Sequence, residues 1–263
     1  MDELFIDDST TRGSAEGSAS LAAESNLFEG SGFISNGSFE SGNFSGWDTI
    51  GDTSIETEDL GIFPTDGASQ ALITSGDSDS GGSVVDADLE EFLDLSAGSL
   101  DGIVGDDAVE GSAIKQTFTA EAGDIVSFDW NFLTNESTPN ETFNDTGFVS
   151  IGGFTFELAD TNAEFSDAPD VERFSSQTGT QTLTFSVANA GTYDIGFGAV
   201  DVGDSAVESG LAIDNINIAS SSAGAEGAAS ALSADIDLVF GENGFETVGD
   251  SSMLDSEADP IAA

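Results

Sequence analysis

From residue 33 to residue 218 the chain sets Phe, Ile, Leu and Val at every second position of short segments, and separates those segments with Gly, Asn and Asp. A period of two is what a strand needs to bury one face, and closely spaced turn residues leave little room for long helices. In residues 181–187, Leu183, Phe185 and Val187 share one face while Thr182, Thr184 and Ser186 share the other. Tyr193, Ile195, Phe197 and Ala199 repeat the pattern after an Asn189-Ala-Gly turn, and Val126, Phe128, Trp130 and Phe132 repeat it in residues 125–132. Further strands are expected at 70–74, 113–119, 147–151, 154–158 and 210–218. The pattern predicts an all-β sandwich. One stretch departs from it: Leu89, Phe92, Leu93 and Leu95 stand at near-helical spacing, followed by Leu100 and Ile103. This predicts a short helix over 86–95 inside an insertion reaching Val104, with Asp86 and Asp88 near its positive N-terminal end.

Charge decides which chemistry such a sandwich is able to carry. Lys and Arg together number 3 against 51 Asp and Glu, with no His and no Cys, for a formal net charge of −48. Self-repulsion on that scale opposes compaction unless cations gather around the protein or some carboxylates hold metal. Without His or Cys there is no Ser–His–Asp triad, no thiol nucleophile and no zinc site of the usual kind. What remains is oxygen, the ligand of hard cations such as calcium. Nucleic-acid backbones and anionic lipid surfaces are excluded as partners, because almost nothing cationic meets phosphate. No apolar run of about 20 residues exists, so membrane insertion by a helix is not expected. With 51 acids, pairs of carboxylates arise by chance and do not argue for a glycosidase; the chain is expected to be no enzyme. The 20 Phe residues separate it from disordered acidic chains, which lack material for a core.

Residues 1–32 are rich in Ser, Gly, Ala and acids with no sustained apolar period, and are expected to be a flexible acidic lead-in. The first eight residues are acidic where a signal peptide is basic and then apolar. Residues 219–233 read as a Ser/Ala/Gly linker. Residues 234–263 form an acidic segment whose Phe240 and Phe245 suit one or two short strands or a secretion tail.

The run Phe33-Ile-Ser-Asn-Gly-Ser-Phe-Glu-Ser-Gly-Asn-Phe-Ser-Gly-Trp47 resembles the opening strand of the galactose-binding-like jelly rolls, a group that includes many carbohydrate-binding modules. Leu211-Ala-Ile-Asp-Asn-Ile-Asn-Ile218 is similar to their closing strand. The segments beginning at Glu110, Phe128 and Phe143 resemble secreted bacterial proteins, cyanobacterial ones especially, and the C-terminal segment resembles the uncleaved signals of type I secretion. The resemblance covers about residues 33–218. It implies a jelly-roll β-sandwich with a short helical insertion and flexible acidic tails. It also implies a structural calcium where the first and last strands meet, held by Glu40 and Asp214 with main-chain carbonyls. The residues themselves add one point: Ile213 and Ile216 are three apart, so alternation fails and a bulge at Asp214-Asn215 is expected. The alternative is that both carboxylates are solvated turn residues.

Two other acidic groups stand out. Asn135-Glu136, Asn144-Asp145 and Asp201 with Asp204 lie in loops that would form a second calcium site if they converge, with Glu136, Asn144, Asp145 and Asp201 as its ligands. In a chain this acidic, loops carry carboxylates anyway, and that is the plainer reading. Residues 77–88 follow a calcium-loop pattern only partway, with Gly81 and Asp88 out of pattern, and read better as a Ser/Gly/Asp connector. Trp47, Trp130 and Tyr193 all fall on apolar faces and are expected to pack rather than to present a ligand platform. The expectation is a secreted, calcium-stabilised, non-catalytic surface or extracellular-matrix protein with glycan affinity, self-association or cell adhesion, exported by a signal-peptide-independent route. The alternatives are a polysaccharide-binding accessory module of an enzyme system and a salt-adapted intracellular protein.

Overall fold

The alternating segments form strands in the computed structural model of the chain, which describes residues 32–76, 82–168, 173–220 and 238–247. The expected lead-in, most of the linker and the last 16 residues lie outside the described residues. Before the insertion come β1 (Asp48–Ile50), β2 (Thr53–Glu56), a 3-10 turn (Glu58–Leu60), β3 (Gln70–Thr74) and β4 (Val84–Val85). Helices α1 (Asp86–Phe92) and α2 (Ser99–Val104) make up the insertion. The long central strands follow: β5 (Ala108–Ala120), β6 (Ile125–Thr134), β7 (Thr146–Ile151) and β8 (Phe154–Asp160). Two short strands, β9 (Ser166–Asp167) and β10 (Ser176–Gln177), lead to β11 (Gln181–Val187), β12 (Gly191–Val202) and β13 (Ser209–Ala219). The described chain closes with β14 (Leu238–Gly241) and β15 (Gly244–Thr247).

The chain crosses from one sheet to the other between β5 and β6, β6 and β7, β11 and β12, and β12 and β13, which makes the architecture a jelly-roll sandwich. One sheet runs β1-β5-β12-β7-β8 with β4 also on β5, and the other runs β15-β14-β11-β6-β13-β3-β2 with β9 and β10 beyond β6. The period-two faces predicted from sequence meet between the sheets: Val126, Phe128, Phe132, Phe185, Val187, Ile195, Phe197 and Ala199 belong to one buried cluster. Phe128 meets Phe197 edge to face, with ring centroids 4.8 Å apart. Burying one such side chain stabilises the fold by about 1.5–3 kcal/mol. Trp47 and Trp130 are each 6% exposed, so both are packing residues; Tyr193 is half-buried and donates its hydroxyl to the Asn189 carbonyl.

Three differences from the sequence reading are structural findings. The opening motif at 33–47 is a series of turns rather than a strand. Asn36 and Phe39 take φ of +53° and +55°, and the Asn36 side chain satisfies local backbone groups at Ser41 and Asn43 in place of a ladder. The segment still reaches the closing strand, since the Ile216 N–H donates to the Gly37 carbonyl. A Cβ at Gly37 would stand 2.2 Å from the Ile216 oxygen, so only glycine admits that approach. The insertion holds two helices, not one. Leu89, Leu93, Leu100 and Val104 pack on the outer face of the first sheet, and buried Glu90 accepts the N–H groups of Gly98 and Leu100, tying α2 to α1. Finally, the sandwich extends past residue 218. β14 pairs in parallel with β11, the one parallel pairing among the described strands, and brings Phe240 and Phe245 into a ring cluster with Phe154, Phe156, Phe185 and Tyr193.

Candidate functional site

Glu40 and Asp214 do come to the same place, and what joins them is the loop between the 3-10 turn and β3. Phe39 is fully buried against Trp47 and Phe44, which turns the next residue, Glu40, outward. Asp214 sits where the register between β13 and β6 slips, and Asn215 there takes φ of +53°; this is the bulge expected from Ile213 and Ile216. Oδ2 of Asp214 accepts the N–H groups of Thr65 (2.6 Å) and Asp66 (2.9 Å) and the Thr65 hydroxyl (3.2 Å), while Oδ1 accepts the Asn215 N–H (2.7 Å). Oε1 of Glu40 accepts the N–H groups of Ala68 and Ser69, both at 2.7 Å. Between these two grips lies Gly67, at φ +80°, where a Cβ would stand 2.3 Å from the Glu40 carboxyl carbon. Two carboxylates thus clamp one loop. Burial raises the Asp214 carboxyl above its ordinary value, and the donors from Asp66, Asn215 and Thr65 work in the other direction.

The side chains of the clamp offer calcium oxygen ligands only, and backbone N–H groups already take three of the four carboxylate oxygens. Asp214 lies opposite Asp129 across β13 and β6, and the two line a cavity of about 10 Å³ with Thr65 and Gln70, the size of one water or ion. Oε2 of Glu40 takes none of the loop's N–H bonds.

The clamped loop carries a surface that the sequence reading passed over. Phe63 is 75% exposed at its apex, followed by Pro64. Beside them opens a cleft of about 330 Å³ lined by Glu58, Asp59, Phe63, Pro64, Gly67 and Ala68. Two of its lining residues, Gly67 and Ala68, belong to the stretch that Glu40 holds. No period or motif marks Phe63; only its departure from the alternating segments, in a Gly61-Ile-Phe-Pro loop, sets it apart.

The second acidic group converges in part. Asp201 lies near the end of β12, at a slip in its pairing with β5, directly opposite Glu110. Asp145 precedes β7, and its oxygens accept the Val202 N–H (3.1 Å) and the Ser209 hydroxyl (2.6 Å). Asp145 is 2% exposed and Asp201 1%. Neither oxygen of Asp201 has a hydrogen-bond partner, and Oε1 of Glu110 has none either. Burial, and then the charge of the other carboxylates, drives both Asp145 and Asp201 well above the usual carboxylate range; Glu110 and Asp204 add to the effect on Asp201. Glu136 is raised too, by burial first and by Asp204, while Asn140 opposes the shift with a bond to its Oε2. Asn144 turns its side chain to Asp160, Thr161 and Asn162 instead. Glu110 was missed because the alternation was read from Ala113, five residues after the start of β5. Among the described residues no three acidic side chains form a ready carboxylate cage. The calcium-loop pattern at 77–88 lies partly outside the described residues, and Asp86 and Asp88 belong to the first turn of α1.

No protein-family model and no curated protein matches the chain. Among solved structures it is similar to TmCBM61, solved with β-1,4-galactotriose, at 13% identity over 72% of this chain and 99% of that one, with a TM-score of 0.38. It is similar to the enzymatically active domain of bacteriophage CBA120 tailspike protein 4 at 12% identity, covering 70% of this chain and 21% of that one, TM-score 0.35. The CBM22-1 xylan-binding domain of Paenibacillus barcinonensis Xyn10C gives 11% identity, 69% and 89% coverage, and a TM-score of 0.31. Likeness at these scores carries no argument about function; the jelly-roll assignment rests on the strand order of this chain. Among the described residues no helix is long and apolar enough to cross a membrane.

Proposed function

We propose that the chain is a non-catalytic, calcium-stabilised binding protein of the cell surface or extracellular matrix that takes a glycan at the Phe63 cleft. The observation that carries this reading is a 75% exposed aromatic ring on a loop held by two carboxylates, above a cleft with Glu58 and Asp59 at its rim. A sugar ring stacks its C–H face on an aromatic side chain while its hydroxyls donate to carboxylates, and a loop fixed in advance lowers the ordering cost of binding. Glu40 and Asp214 are positioning residues here, and calcium shared between them would reinforce their hold. Absence of His and Cys supports a binding role over a catalytic one. The acidic surface suits the high ionic strength and millimolar calcium of an extracellular setting, reached by a signal-peptide-independent route. A polysaccharide-binding accessory module of an enzyme system would use the same cleft.

Affinity electrophoresis against a panel of soluble polysaccharides, at fixed calcium, tests the reading. The chain should be retarded by at least one polysaccharide, and Phe63→Ala should abolish that retardation with an unchanged circular dichroism spectrum. Equal retardation of the two proteins, or none with any polysaccharide, overturns it.

A further inference from the structure

Asp201 presents a problem that the Phe63 cleft and its clamp do not solve. It is 1% exposed, and both of its oxygens lack a hydrogen-bond partner, whereas buried polar groups in folded proteins are almost always paired. The Ser75 hydroxyl is near enough to pull its carboxyl down against burial and the surrounding charge, yet that hydroxyl is spent on Ser209, accepting its N–H and donating to its carbonyl. The charges facing Asp201 are all negative: Glu110 on the neighbouring strand β5, Asp145 at the start of β7 and Asp204 just beyond β12. Glu136 after β6 and Asp204 also act on Asp145. The described basic residues are committed elsewhere, Lys115 to Asp94 and Arg173 to Asp52 and Glu208.

The geometry points to a divalent-cation site at Asp145 and Asp201, with Glu110 beside them, that takes a hard ion of the calcium class. The residues are distinct from the Glu40–Asp214 clamp, so the inference stands apart from the proposed function. Two buried carboxylates from β12 and the start of β7 supply charge. The hydroxyls of Ser75 and Ser209, together with water, are the neutral oxygens at hand, and calcium completes a shell of six to eight from such mixtures. A cation would give the partnerless oxygens of Asp201 what nothing else nearby offers. It would also hold together the ends of strands from both sheets, since Ser75 follows β3 and Ser209 opens β13 in one sheet while Asp201 lies in the other.

The rival is a proton held on the Asp145–Asp201 pair, and the two are separable. The full chain, stripped with chelator and then dialysed free of it, would be titrated with CaCl2 and with MgCl2 by calorimetry. It would also be melted in each salt and in NaCl of equal ionic strength, alongside Asp201→Asn and Glu40→Gln. The site predicts saturable calcium binding with a rise in melting temperature that NaCl does not reproduce. Asp201→Asn should weaken that binding at least tenfold, and should melt higher than the parent in the absence of calcium. Glu40→Gln should keep it. If Asp201→Asn fails to fold, Asp145→Asn and the calcium stoichiometry of the parent protein carry the test. Calcium binding equal in Asp201→Asn and the parent, no calcium binding by the parent, or an equal effect of NaCl overturns the inference. Binding lost in Glu40→Gln but kept in Asp201→Asn also overturns it, and leaves the clamp as the ion's place.

Discussion

At Asp214 the chain surrounds a buried carboxylate with N–H donors; at Asp201 it surrounds one with other carboxylates. Both residues sit in strands whose pairing slips at that point, and both are at most 2% exposed. The difference lies in what packs against them. A loop rich in free N–H groups folds over Asp214, while β5 and the turn before β7 bring Glu110 and Asp145 to Asp201. Burial raises both carboxyls, but only Asp214 has several donors pulling it back. A carboxylate with donors is a structural tie. One without them is a demand for a cation or a proton.

Four expectations at three positions test this contrast. The largest effect is expected at Asp214→Ala, which leaves the Thr65 and Asp66 N–H groups without their acceptor. Urea unfolding should show a loss of about 2–4 kcal/mol, and a loss near zero would mean that the clamp is ornamental. Next is Asp201→Asn, which removes a charge and keeps the shape. In chelator it should gain about 1–3 kcal/mol at neutral pH, the opposite sign from Asp214→Ala; a loss would show that the Asp201 charge is satisfied.

The third expectation is the pH dependence of that gain. Raised carboxyls keep protons in the folded state that the unfolded chain releases above about pH 4, so their contribution to stability falls as pH rises through neutrality. The advantage of Asp201→Asn over the parent should therefore be small near pH 4 and grow with pH. A gain independent of pH contradicts the raised values. The smallest effect on stability belongs to Phe63→Ala, expected within about 0.5 kcal/mol of the parent because the ring is 75% exposed. A larger loss would make Phe63 a packing residue and remove the basis for the cleft.

Period two was legible from local order alone because each strand of the sandwich buries one face. That is why β3 and β11 fall on the expected residues, and why the faces of β6 and β12 face the core as read. The bulge at Asp214 was legible too, since a broken alternation is itself a local signal. The opening motif misled because Asn36 satisfies nearby backbone groups through its side chain, so a β-like composition yields turns. Phe63, Glu110 and the pairing of the C-terminal strands with β11 were out of reach for another reason, although short strands around Phe240 and Phe245 were among the expectations. Exposure of a ring, the residue opposite a strand position and the partner of an edge strand are all relations between segments far apart in the chain.

Local order and composition are enough for an all-β sandwich of oxygen-ligand chemistry, because alternation follows from one-sided burial and because 51 acids against 3 bases leave little else. Which of those acids matter is set by the packing of the two sheets. Local sequence makes Asp201 and Asp214 alike; register and packing give one of them N–H donors and the other three negative neighbours. Coulomb interactions and desolvation depend on distances through space, and those distances exist only once both sheets are in place.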